Sequence, residues 1–427
     1  MKHDSQHPDS HTSDGINRRT LVAGAAGTGL GVAATLGAQF ATEVRAQERA
    51  EEALPPLQTA RVGFFGRRQA GVDTPPPAHA SFIACDLNEE LKAADIERLL
   101  RIITADAAQL TAGRAPVVDQ EPELATIPAE LTVTVGFGEK IFDLVNPAKK
   151  PGWLKPLTAF PQIDQLQEQW SHGDLLLQIC SQDPLTLAHA QRMLLKDVRS
   201  FVTVRWVQSG FRNAYGSSQQ GTTQRNLFGQ VDGTINPTSQ DETMDQFVWG
   251  SHEDLEPWEE GGTSLVIRRI HMNLDTWDQA DRPAREDAVG RTLDTGAPLT
   301  GESEDDVADL SATTELGFPV IAPYAHIRRA TAQNPVEHIL RRPYNYDLPV
   351  SNASGFSDHG QTSGGVSNSG LIFCSYQADP LKQFVPVQKR LAELDMLNTW
   401  TVPIGSAVFA LPAGCSESGF IGESLFS

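Results

Sequence analysis

Three short stretches carry residue types that could do oxygen chemistry together. In Phe228-Gly229-Gln230-Val231-Asp232-Gly233-Thr234-Ile235-Asn236-Pro237 an Asp is followed by Gly233 and Thr234. Glycine allows positive φ and a close approach by another group, so the turn presents the Asp232 carboxylate with little steric cover. Such an acid can shuttle a proton. About a hundred residues later, Ala325-His326-Ile327-Arg328-Arg329-Ala330 supplies an imidazole and Ile339-Leu340-Arg341-Arg342-Pro343 a guanidinium. An imidazole behind the metal and a fixed cation in front of it are what the peroxide-activating iron of a haem requires. Alone, an Asp-Gly pair describes a solvated turn. The three segments in this order describe a haem site.

These segments closely resemble the dye-decolourising haem peroxidases, and the similarity spans nearly the whole chain after the N-terminal segment. It includes Gly66-Arg67-Arg68-Gln69-Ala70-Gly71-Val72, Leu131-Thr132-Val133-Thr134-Val135-Gly136-Phe137-Gly138, Gly173-Asp174-Leu175, and Gly370-Leu371-Ile372-Phe373 through Tyr376-Gln377. With the export signal described below, the set looks most like the Tat-exported branch, which includes periplasmic haem peroxidases associated with iron uptake. The resemblance implies reduction of hydrogen peroxide and one-electron oxidation of dyes or phenolic compounds. Two rivals remain: removal of iron from haem by a deferrochelatase, and a non-catalytic haem carrier.

The resemblance makes His326 the proximal ligand, its second nitrogen available to a carboxylate that would make it more electron-donating. Asp379 is a candidate for that carboxylate, with an ordinary surface Asp as the alternative. His338 lies three residues before Arg341, and on one helix that spacing would put both on one face, whereas a ligand and a distal Arg need opposite haem faces. Asp232, with Gly233 and Thr234 beside it, would move a proton between the two oxygens of hydrogen peroxide, and an Asp in that role implies an acidic activity optimum. Arg341 would hold the peroxide anion. Arg342 would meet a haem propionate or a surface acid; Arg328 and Arg329 would meet propionates or surface ion partners. Leu371 and Phe373, two apart on a strand, share a face and form either the dry ceiling of the pocket or ordinary core. Tyr344, Tyr346 and Trp400 could pass electrons to bulky substrates or simply pack.

Residues 1–46 read as a twin-arginine signal peptide. Asn17-Arg18-Arg19-Thr20 precedes a small-residue apolar run, and Val44-Arg45-Ala46 offers a cleavage site. Export by the Tat machinery to the periplasm or beyond suits a protein that takes up its cofactor before crossing. Residues 1–46 hold four bases (Lys2, Arg18, Arg19, Arg45) and four acids (Asp4, Asp9, Asp14, Glu43), so their removal leaves the formal charge at −20. A chain that acidic repels nucleic acid and anionic lipid and favours neutral or cationic substrates. Cys85, Cys180, Cys374 and Cys415 show no spacing that suggests a disulfide framework. The lack of Cys-x-x-Cys-His points to non-covalent haem b, one per chain.

Positioning these groups requires an α+β scaffold. Strands are expected at His79 to Asp86, Leu131 to Phe137 (half-buried, from its alternation), about Asp174 to Ser181 and Val202 to Val207, with helices around Ile96 to Leu110, behind an Asp95 cap, and at Pro184 to Val198. That β-α-β-β-α-β order is ferredoxin-like. The second half begins the same way at Ser264 to Met272 and resumes at Leu371 to Gln377, with a helix from Phe384 to Leu397 and a strand at Ala407 to Leu411. The expectation is a duplicated ferredoxin-like fold with antiparallel sheets, divided into 55–225 and a haem-binding 226–427. The cofactor residues lie in a detour between 280 and 368, and long ordered insertions are usually functional. Within it, Glu302 to Asp306 reads as a solvated acidic loop and Ser351 to Gly370 as a mobile stretch. A fold of this kind often buries sheet faces between subunits, so a homo-oligomer is an expectation that no single stretch compels.

Overall fold

The first half runs β1 (His79–Leu87), α1 (Ala93–Thr111), β2 (Thr132–Phe137), β3 (Leu175–Ser181), α2 (Pro184–Val198) and β4 (Val202–Phe211). Helix α1 forms because Ile96, Leu99, Leu100, Ile103, Ala107 and Leu110 fall on one stripe, and all six are buried. Its N-cap is Lys92 rather than Asp95, whose carboxylate reaches back to the Lys92 N–H at 3.0 Å. Helix α2 starts with Pro184 at its first position, and Asp183 accepts from the Thr186 N–H at 2.7 Å.

In this computed structural model the described residues are 55–427 apart from 220, 239–241, 250–258, 351–355, 358–359 and 362–364. The twin-arginine segment and half of the Ser351 to Gly370 stretch lie outside them.

The second half contains β5 (Thr263–Met272), α3 (Arg282–Val289), α4 (His326–Ala330), β6 (Leu340–Arg341), β7 (Tyr344–Asp347), β8 (Ser369–Gln377), α5 (Phe384–Leu394) and β9 (Thr401–Leu411). The strand order in the first half is β2-β3-β1-β4 and in the second β9-β5-β8-β7, all antiparallel. Each is the ferredoxin-like order, so the fold is the duplication expected from the sequence. Strand β7 is the second strand of the second half, and the detour that carries the site is inserted between β5 and β7.

The two halves share one sheet. Ala410 of β9 pairs with Phe137 of β2, and Phe211 of β4 pairs with Asn345 of β7, which closes eight strands into a ring whose seams are each one pair wide. Inside it Phe82, Leu176, Leu265, Tyr344, Tyr346, Ile372, Tyr376 and Phe409 form one apolar cluster. Helices α1 and α2 cover the outer face of the first half with a second, larger cluster. Strand β2 is therefore buried on both faces rather than half-buried: Thr134 donates to the Ala70 carbonyl at 2.6 Å inside the ring. All four cysteines are buried free thiols. No helix among the described residues is long and apolar enough to cross a membrane.

Candidate active site

The site lies over the outer face of the second sheet. Phe228, Met272, Trp277 and Val289 form a small apolar cluster there, joined by the partly buried Ile327, Leu371, Leu397 and Trp400. Phe228 and Trp277 have ring centroids 4.4 Å apart, and Trp277 meets Trp400 edge-on at 4.9 Å. Phe373 shares the outward face of β8 with Leu371 and packs on Phe384 of α5 at 5.9 Å.

His326 opens the one-turn helix α4, which is held by its neighbours rather than by its own length. Tyr324 donates to Asp287 of α3 at 2.6 Å, and Arg329 donates to the Arg390 carbonyl of α5 at 2.9 and 3.0 Å. Gly290, the left-handed C-cap of α3, leaves room for Ile327; a Cβ there would lie 2.8 Å from that side chain. The imidazole Nδ1 lies 2.6 Å from Asp395 Oδ2. The other Asp395 oxygen caps the next turn by accepting from the Leu397 N–H at 3.0 Å. Burial disfavours a charged imidazole, yet the charge and hydrogen bond of Asp395 outweigh it and raise the His326 pKa. This bond fixes the ring and leaves Nε2 as the nitrogen available to ligate a metal.

The Asp232 turn is held by its own contacts. The Asp232 N–H donates to the Gln224 carbonyl at 2.9 Å, Asn226 Nδ2 lies 3.4 Å from Asp232 Oδ2, and Gly233 takes φ +114°. Thr234 is partly buried in the same turn. Arg341 Nη1 reaches Asp232 Oδ1 at 3.4 Å from strand β6. Both groups lie within electrostatic reach of His326, Arg341 lowering and Asp232 raising its proton affinity. Arg291, buried behind them, donates to the carbonyls of Gly296 at 2.6 Å and Glu304 at 2.8 Å. Burial and the nearby Arg341 lower its pKa.

Other expectations are redirected by the structure. The carboxylate on His326 belongs to Asp395, not Asp379, whose oxygen instead accepts from the Leu381 N–H at 2.8 Å in the turn before α5. Arg342 is 3% exposed and bonds the carbonyls of Thr74 and Pro75 at the far side of its strand, because consecutive strand residues project to opposite faces. Arg328 bonds the carbonyls of Ile321 and Leu310. Arg329 pairs with Glu393 at 3.0 Å as well as holding α5. These cations brace the insertion. His338 is not on a helix with Arg341; its ring lies against Phe247 at 4.7 Å. Tyr344 and Tyr346 are buried inside the ring. Asp395, Asn226, Asn236 and Arg291 were not singled out from the sequence, though Asn236 stands within the quoted Asp232 stretch.

The donor set suits haem: one anchored imidazole, an acid and a cation paired within its electrostatic reach, and a partly exposed apolar wall. Two sequence profiles cover the same ground. "Dyp-type peroxidase, N-terminal" matches residues 69–212 and "Dyp-type peroxidase, C-terminal" residues 223–416. The chain belongs to the Dyp-type peroxidase family. It is an enzyme of the haem-dependent peroxidase class. This Dyp-type peroxidase is 35% identical to the Dye-decolorizing peroxidase of Thermobifida fusca over 98% of its own length and 99% of the relative's. It is equally 35% identical to the Deferrochelatase of Escherichia coli K12, over 87% and 88% of the two chains. Among solved structures, a DyP-type peroxidase from Cellulomonas bogoriensis superposes with a TM-score of 0.81 at 47% identity, covering 87% of this chain and all of that one. Ferric DtpA from Streptomyces lividans gives 0.79 at 35% identity, covering 88% of this chain and all of that one.

Proposed function

We propose that the chain is an exported peroxidase that holds one non-covalent haem b, reduces hydrogen peroxide and oxidises dyes or phenolic compounds in one-electron steps. The observation that carries the reading is the Asp232 and Arg341 pair at 3.4 Å, within electrostatic reach of an imidazole anchored by Asp395. Bound haem would supply the redox-active iron. His326 would hold it through Nε2, with Asp395 keeping the imidazole electron-rich. Asp232 would take a proton from one peroxide oxygen and return it to the other, and Arg341 would stabilise the negative charge between those two events. The Arg18-Arg19 segment supports Tat export to the periplasm or beyond. A homo-oligomer is compatible with this fold.

The Deferrochelatase relatives favour a second reading, in which the same pocket releases iron from haem and leaves the porphyrin intact. The deciding experiment is the visible spectrum of haem-loaded protein before and after one equivalent of hydrogen peroxide. A Soret shift that reverses when a dye is added, lost in Asp232→Asn, supports the peroxidase. An unchanged spectrum with metal-free porphyrin accumulating under reducing conditions supports iron release.

A further inference from the structure

We infer that Asn236 is a positioning residue that sets the separation of Asp232 and Arg341, an inference that rests on the peroxidase reading above. Just after β6 the Arg342 N–H donates inward to the Cys374 carbonyl of β8 at 3.0 Å. Arg341, one position earlier and opposite Ser375, turns its own N–H and carbonyl away from β8. Asn236 meets both. Its Oδ1 accepts from the Arg341 N–H at 2.9 Å, and its Nδ2 donates to the Arg341 carbonyl at 2.9 Å. A side-chain amide carries the donor and the acceptor of a peptide group, so Asn236 stands in for a neighbouring strand at one position.

The consequence is a fixed register between two segments 109 positions apart. Asp232 sits four residues before Asn236 in the same turn, and its other end is tied by the Gln224 carbonyl and by Asn226. Arg341 Nη2 also lies 3.4 Å from the Ile235 carbonyl, so the guanidinium bridges both ends of this turn. Other residue types fit less well. Asp would set an oxygen against the Arg341 carbonyl, Gln is one methylene too long, and Ala offers neither bond.

The test compares haem-loaded wild type, N236A, R341A and the double variant, with N236D alongside. Two quantities are read: the stopped-flow rate with hydrogen peroxide, and the affinity of the resting ferric protein for fluoride, an iron ligand that accepts hydrogen bonds without turnover. N236A should lower both by on the order of tenfold, as expected for losing one or two hydrogen bonds, with haem content and the KM for dye unchanged. In the R341A background the same change should add nothing. N236D, which keeps the acceptor, should fall between, and it replaces N236A in the cycle if that variant does not load haem. The inference is overturned if peroxide rate and fluoride affinity survive N236A while R341A is impaired, or if the loss is as large without Arg341 as with it. R341A matching wild type in both readouts would sink the underlying reading as well.

Discussion

Nδ1 of His326 and a carboxylate oxygen of Asp395 lie 2.6 Å apart across 69 positions of sequence. Asp395 is 6% exposed and caps the Met396 to Thr399 turn, so its carboxylate is held on both sides. Asp395→Asn keeps the size and removes the charge. The reduction potential of the bound haem should then rise, and turnover with peroxide should fall roughly 10- to 100-fold, the usual cost of removing a ligand's supporting group. Spectroelectrochemistry of the variant checks this, and an unchanged potential would mean that Asp395 only orients the ring.

Gly296 lies under the Asp232 turn. It has φ +74°, and a Cβ there would fall 2.7 Å from Val231, the residue before Asp232. Gly296→Ala should destabilise the protein by about 1–3 kcal/mol through strain and overpacking, and should lower peroxide activity by displacing the turn. Gly221 is the control: it has φ +85° and, beyond its chain neighbours, no atom of the described residues within 4 Å of an added Cβ, so Gly221→Ala tests the strain. Urea unfolding of the two variants beside wild type separates the effects, and equal midpoints would refute the packing argument.

Asp106 of α1 and Asp197 of α2 face each other, and one oxygen of Asp197 is buried without a hydrogen-bond partner. Burial, then the neighbouring carboxylate, pushes the Asp106 pKa up to about 7. A folded pKa above the unfolded value of about 3.9 means that the native state binds the extra proton between those two values. This pair's contribution to stability is therefore full below about pH 4 and lost as pH rises through 7. Thermal melts from pH 4 to 8 should show a decline that Asp106→Asn flattens; an Asn variant with the wild-type slope would remove the pair as its cause.

The long β-patterned runs and both amphipathic helices of the first half were legible because apolar spacing alone specifies them. Strand β7 was not: Tyr344 to Asp347 is four residues long, follows Pro343, and is a strand only because β8 lies alongside. Thr132 and Thr134 looked solvent-facing because alternation shows that a strand has two faces and not what covers the second. His326, Asp232 and Arg341 were readable through family resemblance, and the structure pairs the last two within electrostatic reach of the first. Asp395 carries no such mark. Its role depends on α4 docking against the end of α5, a contact that no local spacing encodes. The choice of Asp379 failed for the same reason, since that Asp is engaged by its own turn.

Closure of the ring dictates an order of assembly. Strand β9 sits between β5 and β2, so the seam at β2 cannot form, and the ring cannot close, until Thr401 to Leu411 has left the ribosome. Asp395 too is synthesised after Asp232, His326 and Arg341. A nascent chain that already carries His326, Asp232 and Arg341 therefore lacks both the group that anchors the imidazole and the strand that locks the two halves together. Cofactor capture should wait for Asp395 and β9, and chains truncated before β9 should appear in the cell as proteolytic fragments rather than as partly active protein.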